Sequence, residues 1–253
     1  MSGAPRRRVT VRRIVAALVA VVVVVAIAGA VWLAIPQQVL PEADAALIPS
    51  ASVAVEQDDG NITFVPTGGA DVGLILYPGG KVPAKAYAPT ARLIADRGYL
   101  VVVVSMPFNF AVLDVDAASR VIAARPEIQT WAVGGHSLGG AMAGQYVAAH
   151  PDAVEGLVLW AAYSAADVSR TGVAAAVVYG TLDTGAARFV SPDSLALLPA
   201  NQTITAIDGG NHANFGAYAG QPNDPPATIP REQQQQEAAD STVELLERVE
   251  AAR

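Results

Sequence analysis

Cysteine is absent from all 253 residues. That excludes a disulfide framework, a cysteine nucleophile and any thiolate metal site. Histidine is scarce, with only His136, His150 and His212, which nearly excludes a His-rich zinc cage. Charge is scarce as well: 15% of residues are charged and 52% are hydrophobic, the reverse of a disordered chain. The net charge of −7 argues against nucleic acid as a main partner. Acidic residues are missing altogether from residues 1–35, which hold five arginines (Arg6, Arg7, Arg8, Arg12 and Arg13). The other 11 basic and 23 acidic residues leave −12 on residues 36–253, so the two parts of the chain are built for different surroundings.

Ile14 to Ile35 is a run of 22 residues without a charge, with five valines in a row at Val21–Val25. As a helix rising about 1.5 Å per residue it reaches roughly 33 Å, enough for a hydrocarbon core of about 30 Å. A buried core helix seldom shows such a run. A cleaved signal peptide shares the basic start, but its apolar region is usually about 7–15 residues. The length favours a single-pass signal anchor, with cleavage as the alternative. Trp32 near the far end suits an interface. The arginines are expected to stay cytoplasmic, which puts the body outside the cell membrane. Residues 36–50, with Pro36, Pro41 and Pro49, read as a tether.

From residue 51 onward, strands and helices alternate. Ser52–Glu56 and Asn61–Val65 are short β-rich runs joined by the hairpin signal Asp59-Gly60. Val72–Tyr77 and Tyr99–Ser105 are continuous apolar runs, the pattern of strands buried on both faces. Thr130–Val133, Leu157–Ala161, Ala174–Tyr179 and Gln202–Ile207 read as further strands. Helices are expected over Ala84–Asp96, Ala111–Arg125, Ala141–His150, Ser191–Leu198 and Glu232–Val249. In the last of these Ala238, Val243, Leu245, Leu246 and Val249 mostly share one face. The fold class is therefore α/β: a mostly parallel sheet flanked by helices, with an antiparallel edge from the first two strands. Sites in such sheets lie in loops at the C-terminal strand ends.

One such loop is Gly134-Gly135-His136-Ser137-Leu138-Gly139-Gly140, between a strand and a helix. It carries Gly-x-Ser-x-Gly at Gly135, Ser137 and Gly139. A serine on a tight strand-to-helix turn projects its hydroxyl above the sheet, and small neighbours let strand, turn and helix approach. With this loop in its setting, the chain resembles the α/β-hydrolase superfamily over most of residues 60–250. In that family the order is nucleophile, acid, histidine. The resemblance implies Ser137 as nucleophile, Asp183 in the loop Gly180-Thr181-Leu182-Asp183 as acid, and His212 after Asp208-Gly209-Gly210-Asn211 as base. The histidines also sort by position. His136 sits beside Ser137 with its side chain expected to point elsewhere, as packing. His150 ends the following helix, where it suits free carbonyls. Asp193 and Asp208 rival Asp183, the first as a helix-start acid and the second as a turn residue.

A third loop, Tyr77-Pro78-Gly79-Gly80-Lys81, stands where many family members have His-Gly and supply an oxyanion-hole amide. Pro78-Gly79 departs from that pattern and leaves the donor open between Gly80 and Lys81, with a plain glycine turn as the bland alternative. The second donor implied is the backbone N–H of Leu138. The expected activity is cleavage of an ester-type acyl bond in a small-molecule substrate. Acyl transfer with the same residues, or a non-catalytic binding domain, are the alternatives. No metal and no cofactor are implied.

Only about a dozen residues separate the strand at Leu157–Ala161 from that at Ala174, too few for the helical lid many relatives insert. The length and lidless layout are most similar to the small dienelactone-hydrolase-like branch, whose type member uses a cysteine nucleophile. Ser137 departs from that, so the resemblance does not carry the dienelactone activity over to this chain. Phe108, Asn109 and Phe110 suit either a pocket wall or the core. The Pro-rich, aromatic stretch 213–231 suits a wall beside His212 or a surface connection. The resulting organisation is a basic cytoplasmic tail at 1–13, a transmembrane anchor at 14–35, the tether at 36–50 and a hydrolase-like domain at 51–253.

Overall fold

A computed structural model describes residues 6–252; residues 1–5 of the expected basic tail, and Arg253, lie outside the described part. The chain divides into two units, residues 1–36 and residues 37–253. In the first, helix α1 spans Arg6–Ala34. Its stretch Val11–Ala34, 24 residues, is long and apolar enough to cross a membrane by length and composition. Side chains such as Leu18, Val24 and Trp32 are exposed, which water does not favour.

The second unit starts earlier than expected. Residues 36–50 read as a tether, yet the compact unit includes everything from Gln37. Leu40 N–H donates to Ala217 O at 2.9 Å and Ala219 N–H to Gln38 O at 2.9 Å, with Val39 bridged to Tyr218. Helix α2 (Glu42–Ala46) follows. Arg231 pairs with Glu42 and Lys85 with Asp44. Proline spacing signals a break in helix and sheet, but not whether the extended chain then finds a partner.

The unit is built on one eight-stranded sheet in the order β1-β2-β4-β3-β5-β6-β7-β8. The hairpin β1 (Val53–Asp58) and β2 (Asn61–Pro66) is antiparallel and forms one edge. Strand β2 also runs antiparallel to its other neighbour. The remaining strands run parallel: β3 (Val72–Tyr77), β4 (Leu100–Val103), β5 (Thr130–His136), β6 (Gly156–Trp160), β7 (Ala174–Gly180) and β8 (Thr203–Ile207). Every residue of β3, β4, β5 and β6 is buried, which is why these segments are continuously apolar.

Helices cover the faces. Helix α3 (Ala88–Ala95) has Pro89 in its first turn, where the missing N–H costs nothing. The helix expected over Ala111–Arg125 is broken into a 3-10 turn at Ala111–Leu113 and α4 (Ala117–Ala124). The cause is Tyr77, whose buried hydroxyl donates to Val115 O at 2.6 Å and accepts from Ala118 N–H at 2.9 Å. Helix α5 (Leu138–Ala149) begins three residues before the expected Ala141. Two short helices follow, α6 (Ala186–Phe189) and α7 (Pro192–Leu195), the latter capped by Ser191. The final helix α8 (Arg231–Ala251) buries Ala238, Val243, Leu245, Leu246 and Val249, as its pattern foretold. Residues 161–173, between β6 and β7, contain no helix, so nothing there forms a lid.

Candidate active site

Ser137 lies on the sharp turn from β5 into α5, with φ 54° and ψ −121°. That is left-handed backbone, costing a serine of order 1–3 kcal/mol. The turn persists because its neighbours lack side chains. A Cβ on Gly139 would sit 2.1 Å from Tyr77 O, and one on Gly135 would sit 2.5 Å from the Gly139 carbonyl carbon. The Gly-x-Ser-x-Gly spacing is thus steric, and β3, β5 and α5 meet where the hydroxyl emerges. Leu138, the first residue of α5, carries an N–H with no intrahelical acceptor.

Asp183 and His212 come together from the ends of β7 and β8. The Asp183 Oδ2 to His212 Nδ1 distance is 2.6 Å. The Asp183 side chain is nearly fully buried and that of His212 is 16% exposed. The other carboxylate oxygen, Oδ1, accepts Gly185 N–H at 2.7 Å. Ser137, Asp183 and His212 all line one cavity of about 310 Å³, with Phe189, Gln221 and Asp224. No hydrogen bond joins Ser137 Oγ to His212 among the described residues. A larger cleft of about 530 Å³ lies beside β2 and β4 and is lined by none of these three residues, so size does not single out this site.

The His212 loop is held from three sides, largely by residues that sequence reasoning missed. Asp224 accepts the N–H of His212 at 3.0 Å and that of Ala213 at 2.8 Å. Gln234 Nε2 donates to Asn211 O at 2.7 Å, and its Oε1 accepts Asn211 N–H at 3.0 Å. No local pattern marks either; Asp224 lies in the Pro-rich stretch and Gln234 within the run Gln233–Gln236. The third hold is His136. Its side chain turns away from the cavity, as its place in the turn implied, and is fully buried.

His136 belongs to a chain of hydrogen bonds that spans the site. Gly79 N–H donates to Tyr87 Oη at 2.9 Å. Tyr87 Oη lies 2.8 Å from His136 Nδ1, and His136 Nε2 lies 2.9 Å from His212 O. A carbonyl only accepts, so Nε2 bears the proton and Nδ1 accepts from the tyrosine hydroxyl. Burial, with the nearby His212 adding to it, drives the His136 pKa well below its usual value, so the ring is neutral. Burial likewise pushes the Tyr87 hydroxyl well up and keeps its proton in place. The chain links the Gly79-Gly80 loop to the His212 loop through the residue before Ser137.

The amides near the serine separate by use. Gly79 N–H goes to Tyr87, and Lys81 N–H donates to Asn109 O at 2.8 Å. The Gly80 amide between them is paired with no acceptor among the described residues. The rival acids lie elsewhere: Asp193 is in the first turn of α7, and Asp208 accepts from Thr181 Oγ1 at 3.2 Å at the turn before Gly209. His150 departs from expectation. Its ring pairs with the Asp116 carboxylate at 2.9 Å and rests against Tyr146 rather than meeting carbonyls. Phe108 is 73% exposed, so it belongs neither to the core nor to this cavity wall. The 213–231 stretch does build a wall, through Gln221, Pro222, Asn223 and Asp224.

Comparison with known proteins agrees with this architecture. Dienelactone hydrolase from Anabaena variabilis ATCC 29413 superposes with TM-score 0.56 at 16% identity, over 77% of this chain and 99% of that one. A 2,6-dihydroxy-pseudo-oxynicotine hydrolase gives 0.54 at 16%, over 78% and 68%. A predicted CIB-like hydrolase from Thermoplasma acidophilum gives 0.53 at 15%, over 76% and 100%. No curated protein matches. The sequence pattern of the alpha/beta hydrolase family matches residues 73–236, well over half of the chain and inclusive of all three site residues. With that match and the strand order above, the chain belongs to the alpha/beta hydrolase family.

Proposed function

We propose that this hydrolase cleaves an ester-type acyl bond through Ser137, His212 and Asp183, held at a membrane by α1. The observation that carries the reading is the 2.6 Å Asp183–His212 pair in one cavity with a serine kept at φ 54°. His212 Nε2 takes the Ser137 proton as Oγ attacks the acyl carbon. The contact closes when substrate is bound, since such hydrogen bonds are often long in free enzymes. Asp183 accepts Nδ1–H, orients the ring and stabilises its charged form. The amides of Gly80 and Leu138 hold the oxyanion, each worth about 2.7–4 kcal/mol where such donors have been removed. The alcohol leaves with the proton from His212, and water, activated by the same histidine, releases the acid.

The anchor reading is supported by the length of Val11–Ala34, 24 residues, or roughly 36 Å of helix. The five arginines at and before its start favour a cytoplasmic N-terminus and an extracytoplasmic hydrolase unit. The decisive experiment exposes the full chain in detergent, and its Ser137→Ala variant, to a fluorophosphonate, with intact masses recorded. One adduct on the parent and none on the variant is expected. Labelling of the folded variant, or none of the parent, would overturn the assignment.

A further inference from the structure

Two features of the hydrolase unit converge on Lys81, the neighbour of Gly80. The first is where the chain enters: Gln37 N–H donates to Lys81 O at 2.8 Å. Only Ile35 and Pro36 separate Gln37 from the last residue of α1, and that much chain reaches at most about 11 Å. The second is the loop after β4, whose Asn109 O accepts Lys81 N–H at 2.8 Å. In that loop Phe108 is 73% exposed, Val112 53% and Leu113 58%. Among the described residues beyond Pro36, five large apolar side chains are exposed, and these are three of them.

The loop is also strained. Phe108 and Asn109 hold φ 51° and 59°, left-handed backbone that a phenylalanine rarely adopts. Its ring is not buried, so core packing does not offset that cost. Strain of this kind, beside a site and presenting an apolar side chain, points to a contact outside the polypeptide. The rim residue Lys81 is thus hydrogen-bonded to a residue that only two others separate from an apolar span, a short link in sequence.

Resting on the anchored ester-hydrolase reading, we propose that Phe108, Val112 and Leu113 contact the lipid surface and that the site takes the acyl ester of a bilayer lipid. Aromatic and aliphatic side chains at such a depth are stabilised by the area they remove from water. The ester of a lipid lies near the headgroup boundary, where a short link from a membrane span can present the rim.

The absence of native cysteine makes single-site labelling clean. The full chain would be reconstituted in vesicles of phosphatidylcholine and phosphatidylglycerol, with a nitroxide on Phe108→Cys, Val23→Cys or Asp152→Cys in separate samples. Collisions with oxygen, which partitions into lipid, are compared with those of a water-soluble nickel chelate. The Phe108 label is expected to favour oxygen several-fold more than the Asp152 label. Water-like behaviour at Phe108 with lipid-like behaviour at Val23 would overturn the proposal and leave the anchor reading standing. Water-like behaviour at Val23 would overturn both.

Turnover tests the substrate half. Phe108→Ser with Leu113→Ser is expected to slow cleavage of a long-chain ester embedded in the vesicles about tenfold, leaving cleavage of p-nitrophenyl acetate unchanged. Equal loss on both esters would overturn the lipid-substrate inference. Cleavage of neither ester by the unsubstituted protein would overturn the ester reading itself, while the labels still report the lipid contact.

Discussion

The serine turn tolerates almost no added atom. Because a Cβ at Gly139 would meet Tyr77 O at 2.1 Å, Gly139→Ala is expected to move strand or helix and lower stability by several kcal/mol. Urea unfolding of the full chain in detergent measures it. Asp183→Asn keeps the shape but sets the wrong histidine tautomer, and a fall of about 10⁴ in kcat is expected for that change in a triad. An unaltered kcat would remove Asp183 from the mechanism. Tyr87→Phe deletes one hydroxyl and leaves the Gly79 amide and His136 Nδ1 unpaired. Both donors and acceptors are buried, so about 1–3 kcal/mol is lost. The acylation rate by a fluorophosphonate is expected to fall with it, since this hydroxyl ties the Gly80 side of the site to the His212 side.

At the scale of elements, much of the sheet was legible. Strand β3 runs over the predicted residues, Val72–Tyr77, because a strand buried on both faces must be apolar without interruption. The helix expected at Ala111–Arg125 was a single element by pattern, and its break depends on a tyrosine from β3, 38 residues away from Val115. Short-range periodicity contains no such information. The segment from Gln37 to Leu40 fails for the same reason: its partners, Lys81 and Ala217, lie far along the chain. Removing residues 1–42 is therefore expected to lower the unfolding temperature of the hydrolase unit rather than merely release it from α1. Calorimetry on that truncation beside a chain starting at Gln37 checks this, and equal temperatures would show that the segment adds nothing.

Over the whole molecule, the buried neutral His136 makes stability depend on pH. Its folded pKa lies well below the usual histidine value, whereas the unfolded chain takes up a proton near pH 6.5. The unfolded state thus binds more protons below about pH 6.5, and stability is lost as pH falls from there towards the folded pKa, at up to about 1.4 kcal/mol per pH unit. Above pH 6.5 the contribution is fully present. His136→Gln is expected to be less stable at pH 7.5 but to lose less between pH 7.5 and pH 5. Urea unfolding at the two values measures the difference, and parallel losses would count against a buried neutral ring.

The sequence by itself determined the α/β class, the buried strands, the apolar span and the strand ends after which Ser137, Asp183 and His212 fall. Each rests on local information: hydrophobic runs, glycines that a tight turn requires, and the order of residues after successive strands. Tertiary structure alone decided that Asp224, Gln234 and His136 hold the His212 loop. It alone left the Gly80 amide without an acceptor among the described residues, between two used ones, and bound Gln37 to Lys81. The bonds among these join polar groups that sheet closure brings together, and burial favours pairing such groups whatever their distance along the chain.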